Sequence, residues 1–248
     1  MRVVNAPAAS AYAFGDSAIA RERLALVAGT FEPPTRALLA ELPPMQPRYV
    51  LDMGCGPGHA TALLRARFPH SEVTGLDASA AMVEEARARV FGAWFAVTDV
   101  AARLRLPADV VFARLLLGHL AEPTVALDRW AAALRPPGLI VCEEPVRYCS
   151  DDPVFARYEE AVTAVVAARG ATLWAGSALD TDPPRAARVL DRVVEHPVPV
   201  RRAAAMFWRN AVAWGGDADL IDALRAMEAS ETDEIMMWEI RQTAWIRR

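Results

Sequence analysis

The most constraining feature of this sequence is a short apolar run that ends in glycines: Tyr49-Val50-Leu51-Asp52-Met53, followed by Gly54-Cys55-Gly56-Pro57-Gly58. Such a run suits a buried parallel strand. The glycines let the backbone turn sharply and approach a ligand where any Cβ would clash, and a helix starting there adds unpaired N–H groups. A strand, a glycine turn and a helix start in that order point to an α/β chain that binds a ligand at the carboxyl ends of its strands. Nicotinamide and flavin sites share the device, but their glycines are spaced Gly-x-Gly-x-x-Gly. Here the third glycine comes one residue earlier.

The rest of the chain alternates in period. Helices are expected over 60–68, 79–90 and 123–134, and strands over 71–76, 93–98, 109–113 and 138–143. That alternation means a doubly wound, Rossmann-like parallel sheet. Beyond Pro145 a helix over 153–169 and a Trp- and Pro-containing stretch over 173–184 suggest a substrate-facing insertion at about 146–190. The tail offers strands over 193–200 and 235–246 and helices over 203–214 and 218–229. Upstream, Ile19, Leu24, Leu26, Val27, Phe31, Leu38 and Leu39 recur at helical spacing, with Pro33 and Pro34 expected to divide the stretch into two helices. The organisation expected is a helical lid over 1–47 and a main domain over 48–248.

Composition narrows the chemistry. Among 248 residues with a net charge of -4, all 27 basic residues are arginine. The absence of lysine excludes a Gly-Lys-Ser/Thr phosphate loop, a pyridoxal phosphate Schiff base and any lysine nucleophile. A net negative chain lacks the basic groove of a nucleic-acid binder, which favours a small-molecule substrate. Cys55, Cys142 and Cys149 form no Cys-x-x-Cys pair and read as reduced thiols. With no signal-like start and no apolar run of membrane length, a cytoplasmic protein with no metal and no membrane contact is expected.

Two further acids stand at strand ends. Asp77 closes Val73-Thr74-Gly75-Leu76, where a carboxylate can accept both hydroxyls of a ribose, and Asp99 closes Trp94-Phe95-Ala96-Val97-Thr98, where one can accept an adenine amino proton. An aspartate after a strand is often only a turn or cap residue. In register with the glycine loop and Asp52, however, three acids around one crevice favour a nucleoside ligand.

Taken together, Val50 to Gly58, Gly75-Leu76-Asp77-Ala78-Ser79, Asp99-Val100 and Leu134-Arg135-Pro136-Pro137-Gly138-Leu139-Ile140-Val141 resemble the class I S-adenosylmethionine-dependent methyltransferases, in particular their bacterial small-molecule branch. The resemblance is close over about 48–145. It implies a seven-stranded sheet of order 3-2-1-4-5-7-6 with the last strand antiparallel. It also implies S-adenosylmethionine as cofactor, with Gly54 and Gly56 backbone near its methionine part, Asp77 on the ribose, Asp99 and Val100 on the adenine, and Asp52, Cys55 and Ala78 also among the cofactor-binding residues. Arg114 would offer a backbone carbonyl, its side chain a surface charge. By the same likeness Arg23 would pair with the cofactor's carboxylate and Tyr12 would cover the site; a solvated arginine and a packed tyrosine are the plainer alternatives. Pro137 stands where the family more often has glycine.

Methyl transfer from a sulfonium needs mainly alignment of the acceptor and exclusion of water. If the acceptor is a hydroxyl, a base helps, and His119, just past the fourth strand, is the candidate. A hydrogen-bonded structural histidine is the competing reading. Of Glu143 and Glu144, ending the fifth strand, one is expected to face substrate and the other solvent. Glu144, Arg147, Tyr148 and Trp174 are the candidate acceptor-binding residues. Trp94 and Trp130 read as core, whereas Trp208, Trp214, Trp238 and Trp245 are candidates for homodimer contacts. The function expected is methyl transfer to a metabolite, oxygen favoured over nitrogen or carbon, in bacterial specialised metabolism. A cyclase or binding module of the same fold and a nicotinamide-dependent dehydrogenase are the rivals.

Overall fold

The computed structural model describes residues 17–103 and 106–247; Tyr12 lies outside them. Seven strands, β1 (Tyr49–Met53), β2 (Glu72–Asp77), β3 (Trp94–Val97), β4 (Ala108–Arg114), β5 (Leu134–Cys149), β6 (Ala187–Pro199) and β7 (Ile235–Arg247), form one sheet. Their order is β3-β2-β1-β4-β5-β7-β6. The first five pair in parallel, and β7 runs antiparallel to both β5 and β6. This is the order that the resemblance implies.

Side chains alternate across the sheet and divide the core between its faces. Val50, Val110, Phe112, Leu139 and Val141 pack under Leu38 and Leu39 of α1 (Ala18–Glu41) and Leu63 and Leu64 of α2 (His59–Arg67). Their neighbours Leu51, Met53, Val111, Ala113 and Ile140 pack on the opposite face against Ala126, Leu127 and Trp130 of α4 (Pro123–Ala133). Buried large apolar side chains contribute about 1.5–3 kcal/mol each. Helix starts follow their capping residues: the Ser79 hydroxyl accepts from Met82 N ahead of α3 (Ala80–Arg89), and Asp152 accepts from Val154 N ahead of α5 (Pro153–Ala167). Gly215, with φ at +75°, closes α6 (Val200–Trp214), and Asp217 caps α7 (Ala218–Ala229). Among the described residues no helix is long and apolar enough to cross a membrane.

Three sequence expectations need correction. Pro33 and Pro34 do not divide the N-terminal stretch, because α1 runs through both. A proline inside a helix leaves the carbonyl four residues earlier without its N–H partner. For Pro34 that carbonyl is Thr30's, and His196 on β6 takes it with Nε2 at 2.7 Å. One turn earlier the Leu26 carbonyl accepts from Arg202 of α6 at 3.0 Å. A neighbouring strand therefore supplies a bond that the helix cannot make for itself.

The second correction is Trp94, which is 69% exposed rather than core, because β3 lies at the edge of the sheet. The third concerns β5. It begins at Leu134, so Pro136 and Pro137, joined by a cis peptide bond, lie within it rather than in a turn ahead of it. It also continues beyond Arg114↔Glu143, where its pairing with β4 ends, out to Cys149. Only β7 follows it there, in register Tyr148↔Trp238, and β7 in turn holds β6. This extension carries aromatic side chains past the carboxyl edge of the parallel strands.

Candidate active site

The glycine loop leaves β1 between β2 and β4, and Cys55 N donates to Leu76 O at 3.0 Å, so the loop stays tied to β2. Gly54 has φ at +64°, and a Cβ there would meet Leu116 Cδ1 at 2.6 Å. Conformation favours glycine at that position, and any larger residue would have to displace the Leu116 side chain. Gly56 differs: a Cβ would meet nothing within 4 Å, so its backbone faces open space. Asp77 Oδ2 accepts from Gly56 N and its Oδ1 from Ser79 N, both at 2.8 Å. Burial pushes this carboxyl above its usual range, against the pull of those N–H donors. Ala78 beside it is exposed.

Asp99 is exposed two residues beyond β3, with Oδ1 accepting from Ala101 N at 2.9 Å, while Val100 is buried and its carbonyl accepts from the Trp130 indole. Open glycine backbone and two acids at adjacent strand ends along one edge form a cradle that fits a nucleoside carrying hydroxyls and an amino group. Asp52 is not on that surface. It is buried beneath the loop and accepts from the Thr61 hydroxyl of α2 at 2.5 Å, which fixes how strand, loop and helix meet. Burial raises its carboxyl to about 7, against the Thr61 hydrogen bond and Arg114. His59, given no role by the sequence, starts α2 with a buried Nε2 that has no hydrogen-bond partner among the described residues. Burial, then the charges of Arg89 and Arg114, lower it to about 4.

Beyond β4 the chain turns through Leu115, whose φ of +54° is unusual for a residue with a branched side chain, into the short 3-10 turn Leu117–His119. Glu144 holds this turn. Its Oε1 accepts from Leu116 N at 2.8 Å and Leu117 N at 2.9 Å. Burial raises the carboxyl to about 7, against those two donors. Glu143 does not face solvent as expected. It is fully buried, accepting from the Thr35 hydroxyl of α1 at 2.5 Å and from Gln242 of β7 at 2.7 Å. The Arg114 side chain is likewise not a surface charge: it reaches inward to Thr35 Oγ1 at 3.0 Å. Both carboxylates are thus internal, and one fastens α1 to the sheet.

Above this edge lies a cavity of about 110 Å³. Arg23, Val27 and Phe31 of α1 wall one side, His119 and Glu144 the floor, Tyr148 and Trp238 of the strand extension another side, and Tyr158, Trp174, Phe207 and Asn210 the rest. The structure thus brings His119, Glu144, Tyr148 and Trp174 together with Arg23. Arg147 is excluded: it is exposed and pairs with Glu239. The strand register shifts between Pro145 and Arg147, and successive strand residues point opposite ways, so Tyr148 turns inward and Arg147 outward. Burial and the nearby Arg23 charge lower His119 to about 4, so its imidazole is neutral at pH 7. Arg23 is only 8% exposed, so it is not a solvated arginine.

Phe31, Tyr158, Phe207, Asn210 and Trp238 escaped the sequence reading because they come from helices and a strand far apart in the chain. Trp238 packs against Phe31, Tyr148 and Trp174, with ring centroids 5.3 to 6.1 Å apart, and Trp245 is fully buried in the core. A second groove, about 380 Å³, lies between α1, α6 and residues 232–235. None of the sequence-predicted site residues lines it.

A sequence model of the family described as "Methyltransferase domain" matches residues 22–188. A trans-aconitate 2-methyltransferase of Methylobacterium radiotolerans is 43% identical over 114 residues, 45% of this chain and 44% of that protein. One of Escherichia coli is 34% identical over 125 residues, half of each. The chain thus spans about half the length of the curated relatives it matches. Among solved structures, a protein of Bacillus halodurans C-125 carrying a provisional methyltransferase name superposes with a TM-score of 0.62 at 12% identity, over 86% of this chain and 98% of that one. The plantazolicin methyltransferase BpumL, solved with a substrate analogue and SAH, superposes with a TM-score of 0.52 at 16% identity, over 96% and 94%. With its sheet order, its glycine loop and a family match over two thirds of its length, the chain belongs to the class I S-adenosylmethionine-dependent methyltransferases.

Proposed function

We propose that the chain transfers a methyl group from S-adenosylmethionine to a small-molecule acceptor, with oxygen as the favoured acceptor atom and bacterial specialised metabolism as the setting. The observation that carries this is the adjacency of two sites on one sheet edge: the open Gly56 backbone with Asp77 and Asp99, and the cavity floored by His119 and Glu144. Bound there, S-adenosylmethionine supplies a methyl group already activated by its sulfonium. Asp77 and Ala78 hold the ribose, Asp99 and Val100 the adenine, and Gly54, Cys55 and Gly56 line the path of the methionine part, with Arg23 available to its carboxylate.

The cavity wall supplies alignment and dryness, which dominate an in-line displacement. Two groups on its floor can take the acceptor's proton. Glu144, at about 7, is matched to neutral pH, whereas His119, at about 4, is a weak base that serves better as a neutral hydrogen-bond partner orienting the acceptor. We therefore assign proton acceptance to Glu144 and orientation to His119. A nicotinamide dehydrogenase falls away with the family assignment. The cyclase or binding-module reading differs in having no methyl transfer to detect.

The test is isothermal titration of the protein and of Asp77→Ala with S-adenosylmethionine, its demethylated product and NAD. The wild type is expected to bind the first two and not the third. Loss of the charge-assisted bonds to Asp77 should weaken binding by about 1.5–3 kcal/mol, at least tenfold. Wild-type affinity in the variant would remove Asp77 from the site, and binding of NAD alone would remove the cofactor.

A further inference from the structure

The polar atoms of the cavity wall are mostly spoken for. Tyr148 donates its hydroxyl to Phe155 O at 3.0 Å, the Trp174 indole donates to Glu159 at 2.8 Å, and the Asn210 amide nitrogen donates to the Tyr158 hydroxyl at 2.6 Å. Two atoms differ. The Trp238 indole N–H and the Asn210 amide oxygen are buried and have no hydrogen-bond partner among the described residues, although each side chain is 7% exposed and lines the cavity. Buried polar groups are nearly always paired, so one orphan donor and one orphan acceptor on the same cavity mark where a ligand's own acceptor and donor belong.

Size and charge restrict that ligand further. A cavity of about 110 Å³ is somewhat smaller than the roughly 150 Å³ that holds a benzene in an apolar protein interior, which limits its ligand to a single ring at most. The wall of Phe31, Tyr148, Tyr158, Phe207 and Trp238 presents aromatic faces and edges suited to a flat partner. Its ionisable groups are Arg23, Glu144, which is only partly ionised near pH 7, His119, which stays neutral, and the two tyrosines. Arg23 is the one cation among the described lining residues, so a tricarboxylate would bring at least two carboxylates in without a partner, and each such burial is strongly disfavoured.

We propose that the cavity takes a neutral single-ring acceptor that presents a hydrogen-bond acceptor to the Trp238 indole N–H and a donor to the Asn210 amide oxygen, and that it rejects polycarboxylates such as trans-aconitate. The proposal rests on the methyl-transfer reading only for the ligand's role as acceptor; the binding chemistry stands on the wall itself.

The experiment is isothermal titration of the whole chain, with and without SAH, using catechol, toluene and trans-aconitate as probes, and repeating catechol and toluene on Trp238→Phe and Asn210→Leu. Catechol should bind the wild type more tightly than toluene, and trans-aconitate should give no binding. Each substitution should weaken catechol about two- to tenfold, the loss expected for one neutral hydrogen bond, and leave toluene unchanged. Retained SAH binding in the variants reports an intact fold. Trans-aconitate binding as tightly as catechol, or catechol indifferent to Trp238→Phe, overturns the proposal. SAH bound without any ring binding also overturns it while sparing the methyl-transfer reading. Ring binding with the expected losses but no SAH binding upholds it and sinks the methyl-transfer reading instead.

Discussion

Replacing Glu144 with glutamine should make the protein more stable in alkali while leaving it unchanged in acid. The substitution keeps a carbonyl oxygen to accept from Leu116 N and Leu117 N and replaces the ionisable hydroxyl by an amide NH2 that does not titrate. In the folded chain burial raises this carboxyl from the ordinary 4.5 to about 7. The folded state therefore holds a proton that the unfolded state has released anywhere between those values, and stability falls as pH rises through that window. Below about 4.5 both states are protonated and the wild type pays nothing. Above about 7 both are ionised and the full burial penalty applies, about 3 kcal/mol at ~1.4 kcal/mol per tenfold change in acid strength. Urea unfolding of ligand-free wild type and Glu144→Gln at pH 5, 6, 7 and 8 reads it directly. The variant's advantage should grow from about 1 kcal/mol at pH 5 to about 3 kcal/mol at pH 8. Asp52, raised to about 7 with the same sign, titrates in both proteins and cancels in the difference. A difference that does not change with pH would refute the reasoning. With an acceptor in hand, the same variant should lose about 10²–10⁴-fold in turnover, the usual contribution of a general base.

Two other substitutions probe separate parts of the argument. His119→Ala should leave S-adenosylmethionine affinity unchanged, raise KM for the acceptor more than it lowers kcat, and leave the pH–rate profile between pH 6 and 9 in place, because the imidazole is already neutral there; steady-state kinetics across that range check it. His196→Ala strips the Thr30 carbonyl of the partner that Pro34 cannot supply and should cost about 1–3 kcal/mol in urea unfolding, with little effect on cofactor binding.

The sequence carried what repeats locally. Strand and helix periods, the glycine spacing and the acids at strand ends are one-dimensional signals, and they located β1, β2, β4 and the cofactor loop. The signals failed where a neighbour decides the outcome. Pro33 and Pro34 break an isolated helix, and the approach of His196 to the carbonyl that Pro34 orphans helps make one continuous helix acceptable. Trp94 reads as core in any apolar strand, and only the sheet order makes it an edge residue. Glu143 and Glu144 read as an inward and an outward carboxylate under simple alternation. Both are internal because α1 and β7 cover one and the turn after β4 covers the other.

The same distinction governs how far a relative's name reaches. The cofactor loop and its acids lie within a continuous stretch, Asp52 to Val100, which a partial match can contain whole. The acceptor cavity does not: its wall runs from Arg23 on α1 to Trp238 on β7, and a match of 114 or 125 residues cannot contain both ends. Part of the wall therefore lies outside either of those alignments, whichever residues they cover. A strand extension beyond Glu144 sets Tyr148 beside Trp238, and α1, α5 and α6 close around them, so on the proposed reading acceptor choice depends on a tertiary arrangement that local identity does not measure. For this chain the proposed chemistry of the acceptor comes from the Trp238 indole N–H and the Asn210 amide oxygen in that cavity rather than from the tricarboxylate in its relatives' names.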